Sequence, residues 1–89
     1  MIESESNLRV MLVDDDRSML NALSDMVRSC GYEAFPASTW TEALRIFRAQ
    51  MPDLVLLDVM MPTIDGFKMA RMIKAQADKF IPIILITGL

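Results

Sequence analysis

An 89-residue chain has room for one small domain. Its 53% apolar content argues against disorder, and a net charge of -3 with no long run of either sign gives no basic stripe of the kind that nucleic acid requires. The absence of histidine excludes His-based catalysis and metal ligation within the chain, and the single cysteine, Cys30, excludes an intrachain disulfide.

Residues 1–7 form a short polar, acidic tail without the basic start and apolar core of a signal peptide. No apolar stretch approaches the ~20 residues of a membrane span. The expectation is a soluble, cytoplasmic chain that binds neither membrane nor nucleic acid.

The first element is the apolar run Val10-Met11-Leu12-Val13, which does not alternate with polar residues and so fits a strand buried on both faces. Asp14, Asp15 and Asp16 follow it. Met19, Leu20, Leu23, Met26, Val27 and Cys30 then recur at helical spacing, which predicts a helix with Cys30 packed on its apolar face and Gly31 ending it. Tyr32 to Ala37 reads as a second strand. Thr39-Trp40-Thr41-Glu42 is a capping-box pattern, and Trp40, Ala43, Leu44 and Phe47 give the next helix its inner face before Pro52.

Leu54-Val55-Leu56-Leu57 is a third strand, immediately followed by Asp58. A third helix begins near Asp65-Gly66, with Phe67, Ala70 and Ile73 as its inward stripe. Ile83 to Ile86 is a fourth buried strand, which Thr87 ends. The nine methionines fall mostly at helix-face or strand positions and read as core packing.

Strands alternating with helices imply an α/β fold with a parallel sheet and right-handed crossovers. In such a sheet ligands bind at the carboxyl ends of the strands. Asp14 to Asp16, Asp58 and Thr87 are therefore expected to converge on one crevice. Clustered carboxylates repel one another unless a cation or a proton neutralises them. Oxygen ligands of this kind suit Mg²⁺. An ionised aspartate is also a nucleophile towards phosphorus, and a threonine hydroxyl can donate to a phosphate oxygen. The structural alternative is capping, since Asp at a helix N-terminus satisfies free N–H groups. Asp16, nearest the helix, is assigned that role, and Asp65 before Gly66 reads as a turn or cap residue.

Leu12-Val13-Asp14-Asp15-Asp16, Asp58-Val59-Met60-Met61-Pro62-Thr63-Ile64-Asp65-Gly66 and Ile86-Thr87-Gly88 together resemble the receiver domains of two-component response regulators. The resemblance covers the chain after Asn7 and implies a flavodoxin-like sheet in the order 2-1-3-4, with residues 8–89 a partial receiver. It implies that Asp58 accepts a phosphoryl group and that Asp14 and Asp15 place Mg²⁺. Met60 would add its backbone carbonyl to the metal. Thr87 would contact the phosphoryl group, Gly88 would leave room for it, and Pro62 and Gly66 would shape the loop after the acceptor. The donor would be a sensor histidine kinase, a phosphotransfer protein or a small acyl phosphate. The chain would be a phosphoacceptor rather than an enzyme, controlling an output domain outside it.

The resemblance also implies an active-site lysine on a fifth strand, to which none of Lys68, Lys74 and Lys79 corresponds. The chain is thus expected to lack the fourth helix, fifth strand and fifth helix, leaving the fourth-strand edge and the first-helix face exposed. It is expected to be a piece of a longer regulator, or a homo-oligomer joined through those surfaces. Two other readings compete. One is a binding module with a receiver-like fold and no phosphorylation. The other is a haloacid-dehalogenase-type phosphatase using Asp14, Asp16 and Thr87, which Arg17 and the unexplained Asp58-x-x-Met-Pro disfavour.

Overall fold

The computed structural model describes residues 8–58 and 66–86. Met60, Pro62, Asp65, Thr87, Gly88 and the tail 1–7 lie outside the described residues. The elements run β1 (Arg9–Val13), α1 (Arg17–Ser29), β2 (Glu33–Ala37), α2 (Trp40–Gln50), β3 (Leu54–Asp58), α3 (Gly66–Gln76) and β4 (Ile83–Ile86). Among the described residues the strands make one parallel sheet in the order β2-β1-β3-β4. This is the α/β order that the sequence implied.

The unbroken apolar runs are explained by cover on both faces. Met11, Val13, Val55 and Leu57 pack with Ala43 and Phe47 of α2 and Met69 and Ile73 of α3. Val10 and Leu12 point the other way, against Leu20 of α1 and Ala34 of β2. Burying each large side chain stabilises the fold by about 1.5–3 kcal/mol, so a polar residue at either phase of β1 would be costly.

Local signals start and stop the helices. Asp16 caps α1, its Oδ1 accepting from the Met19 N–H at 3.1 Å. At the other end Gly31, with φ +93°, closes a Schellman motif: its N–H donates to the Arg28 carbonyl at 2.9 Å, and the Tyr32 N–H donates to Val27 at 3.3 Å. Thr39 caps α2 through the Glu42 N–H at 3.1 Å. Glu42 reaches back to the Ser38 N–H at 2.9 Å, one residue earlier than in the standard box. No helix among the described residues is long and apolar enough to cross a membrane.

Several expectations need correction. Cys30 is exposed rather than packed, because it is the C-cap of α1 and the chain turns away there. Met19 and Met26 are also exposed, at 48% and 62%. The buried face of α1 centres on Leu20 and Ser24, the latter's hydroxyl donating to the Leu20 carbonyl at 2.7 Å. Met26 and Cys30 instead flank an open apolar groove of about 190 Å³, floored by Val10, Leu54 and Leu56. In α3 the inward residues are Gly66, Met69 and Ile73, and Phe67 is 57% exposed, more than a right angle off that stripe. Met51 and Met72 are exposed as well, so core packing explains Met11 and Met69 but not these. As expected, β4 pairs only with β3 among the described residues, leaving Ile84 and Leu85 open.

Candidate functional site

The site is built by strand register. Val13 of β1 is paired with Leu57 of β3, so the next residues, Asp14 and Asp58, leave the sheet side by side. The Asp14 N–H donates to the Ala37 carbonyl at 3.1 Å, extending the β1–β2 ladder by one step. Asp58 is still within β3, rather than after it, and is paired with Ile86. Backbone pairing thus holds both acids at the sheet's carboxyl edge, where each is only 8% exposed.

Asp15 is exposed and completes the group: carboxylate oxygens of Asp14, Asp15 and Asp58 lie within 4.8 Å of one another. The three consecutive aspartates have separate roles. Asp14 is buried in the cluster, with Oδ1 accepting from the Asp16 N–H at 2.9 Å. Asp15 faces solvent beside it. Asp16 is committed to the α1 cap. The carboxylates that join Asp14 in the cluster are thus those of Asp58 and Asp15, and not that of Asp16, which the phosphatase reading would use.

Electrostatics follow from this packing. Burial pushes the Asp14 carboxyl above its ordinary value of 3.8; the Asp16 N–H opposes the rise, and the charge and side-chain hydrogen bond of Asp58 and the charge of Asp15 add to it. A trio of oxygen donors held this close destabilises itself unless a cation joins it, and the all-oxygen donor set suits a hard divalent ion. The residues present therefore fit Mg²⁺. Thr87 and Met60, the other expected site residues, lie outside the described residues. No periodicity or composition signal in the sequence gives the register that sets Ile86 beside Asp58.

A family model, that of the response regulator receiver domain, matches residues 10–89. The chain belongs to the response-regulator receiver-domain family. Among curated relatives, this receiver is 39% identical over 88 residues to the probable transcriptional regulator ycf27 of Guillardia theta, covering 99% of this chain and 34% of that protein. It is 35% identical over 82 residues to the alkaline phosphatase synthesis transcriptional regulatory protein PhoP of Bacillus subtilis, covering 92% of this chain and 34% of the relative. The receiver thus spans about a third of the length of these regulators.

Solved receivers superpose closely. A CheY-like receiver from Methanospirillum hungatei gives a TM-score of 0.85 at 25% identity, over 93% of this chain and 66% of the other. The response regulator TrrA, solved in complex with the histidine kinase ThkA, gives 0.80 at 35% identity, over 90% and 68%. The fold is therefore the flavodoxin-like receiver fold, and the chain is a receiver of the two-component response-regulator type.

Proposed function

We propose that this receiver accepts a phosphoryl group on Asp58, from a phosphohistidine of a sensor histidine kinase or phosphotransfer protein, with Mg²⁺ as the required ion. The observation that carries the reading is the convergence of Asp14, Asp15 and Asp58 at the carboxyl edge of the sheet. A carboxylate oxygen of Asp58 attacks phosphorus, the phosphorus–nitrogen bond of the donor breaks, and the imidazole leaves as an acyl phosphate forms. The β3 ladder holds the Asp58 backbone at the carboxyl edge of the sheet, and the residue is 8% exposed, so the acceptor is positioned before the donor arrives. Asp14, Asp15, Asp58 and the Met60 carbonyl would hold the ion. When bound, it supplies positive charge against the transferring group. Thr87 would donate its hydroxyl to a phosphoryl oxygen.

The TrrA–ThkA complex supports a histidine kinase as partner. The relatives named as transcriptional regulators support an output domain that acts on transcription. The reading places the chain in the cytoplasm, as a phosphoacceptor rather than an enzyme. Incubation with acetyl phosphate and Mg²⁺, followed by intact-mass measurement of wild type and Asp58→Asn, tests it. A base-labile phosphate that requires Mg²⁺ and Asp58 is the expected result. Label that moves to Asp14 would support phosphatase chemistry, and no adduct at all would support a binding module.

Self-association through β4 is a second reading, favoured by the 50% exposure of Ile84 on an edge strand. Sedimentation velocity at rising concentration tests it, and a well-folded monomer throughout would end it.

A further inference from the structure

A groove of about 450 Å³ runs along the flank of α2, lined by Trp40, Thr41, Leu44, Arg45, Arg48 and Ala49. None of the cluster acids lines it, and the function proposed above makes no use of it. Ala43 and Phe47 are the residues with which α2 seals the core. Trp40 and Leu44 are left half-buried at the edge of that face, forming an apolar floor open on one side.

The charges on the rim are specific. Glu42 is the only acid on α2, and its Oε1 is engaged by the Ser38 N–H at 2.9 Å. Its Oε2 stands 3.9 Å from Arg45, beyond hydrogen-bonding distance, so the Arg45 donors remain available. Arg48 donates through Nε to Oε1 of Gln76 on α3 at 3.1 Å. That neutral acceptor orients the guanidinium without cancelling its charge. The groove is thus an apolar floor with two guanidinium groups on its rim, that of Arg48 held by Gln76 and that of Arg45 in a long ion pair with Glu42, in a chain whose net charge is -3.

We propose that the α2 groove docks an acidic amphipathic helix of a partner protein. The backbone of α2 is internally hydrogen-bonded and offers no strand edge, so recognition falls to side chains, as in helix-in-groove binding. The lining spans three turns of α2, about 15 Å, which matches the apolar stripe of a short helix. Trp40 is the residue type that most often anchors such contacts, and guanidinium groups grip carboxylates bidentately. Two arginines are too few for a nucleic-acid backbone, which needs a continuous basic stripe. Charges elsewhere on the acidic chain are screened beyond about 8–10 Å, so the rim arginines dominate at contact. The inference stands whether or not Asp58 is phosphorylated.

Trp40 is the only tryptophan, so its fluorescence reads this groove alone. The full chain is titrated with a synthetic helical peptide carrying a leucine stripe flanked by glutamates, and with the same peptide carrying lysines instead. The glutamate peptide is expected to give a saturable blue shift that weakens as salt is raised from about 0.05 to 0.5 M. Arg45→Gln and Arg48→Gln, both at exposed positions, are each expected to weaken it about tenfold, with an unchanged far-ultraviolet circular dichroism spectrum. The proposal is overturned by no saturable shift, by equal binding of the lysine peptide, or by salt-independent binding to wild type. It is also overturned if the emission shifts with protein concentration alone, which would identify a second copy as the occupant.

Discussion

Asp14 and Asp58 stand side by side at the carboxyl ends of adjacent parallel strands, each 8% exposed, with carboxylate oxygens within 4.8 Å of one another. Two buried like charges at that separation oppose folding, and the strain is the counterpart of affinity for a cation.

Asp14→Asn should therefore stabilise the metal-free chain. The folded state holds the Asp14 proton more tightly than the unfolded state does, because its carboxyl is raised above 3.8, chiefly by burial. Its penalty is full above that raised value and fades as pH falls through it towards 3.8. Near neutral pH the variant should melt at a higher temperature than wild type without Mg²⁺. Wild type should gain stability on adding Mg²⁺, and the variant much less. Thermal melts with and without the ion check both halves, and an unchanged or lowered melting temperature for metal-free Asp14→Asn would contradict the account.

Asp53 shows the opposite sign. The Arg9 N–H, donating to its Oδ2 at 3.0 Å, holds the carboxyl below 3.8, and Lys79 at 3.3 Å assists. A depressed carboxyl contributes stability that is present above the unfolded value and lost as pH falls through the folded one. That loss should occur below pH 3.8. Asp53→Ala should cost about 0.5–1.5 kcal/mol at neutral pH, nearer the lower figure because the side chain is partly open to solvent. Urea unfolding at pH 7 and pH 3 should show the difference between wild type and variant shrinking at the lower pH.

Met51 ends α2 with φ 50°, a left-handed conformation that costs a residue with a Cβ about 1 kcal/mol. Met51→Gly should raise stability by about that amount. Met51→Val should lower it, since a β-branched residue fits that conformation worse. Chemical denaturation of the three proteins decides the ranking.

Thr39→Ala removes the acceptor for the Glu42 N–H and should cost about 1 kcal/mol. The loss should appear in denaturation midpoints with little change in slope.

Cys30 should react with Ellman's reagent in the native state at close to the rate of an unfolded control, because it is exposed at the end of α1. Marked protection would mean that the α1 end is covered in solution.

The alternation of apolar runs and helical stripes was enough to read the order of elements, because each run must be covered on both faces. Short-range chemistry was equally legible: Asp16, Thr39 and Gly31 act on backbone groups within a few residues. Burial within helices was not. Leucine, methionine and cysteine recurring at helical spacing in α1 do not reveal how much of the sheet the helix covers, so the spacing points Met19, Met26 and Cys30 inward although they are exposed. Phe67 is exposed for the same reason, since the seating of α3 on the sheet, and not the spacing of its apolar residues, sets its phase.

For the candidate site, the sequence alone determined which residue types follow which strands, and the motifs Leu12–Asp16, Asp58–Gly66 and Ile86–Gly88 together carried the resemblance to the family. Only the tertiary structure decided that Val13 pairs with Leu57, and Asp58 with Ile86. A one-residue slip in that register would turn these side chains to the other face of the sheet and separate Asp14 from Asp58. Register is fixed by the simultaneous packing of α1 on one face and of α2 and α3 on the other, and no local stretch of the chain carries that information.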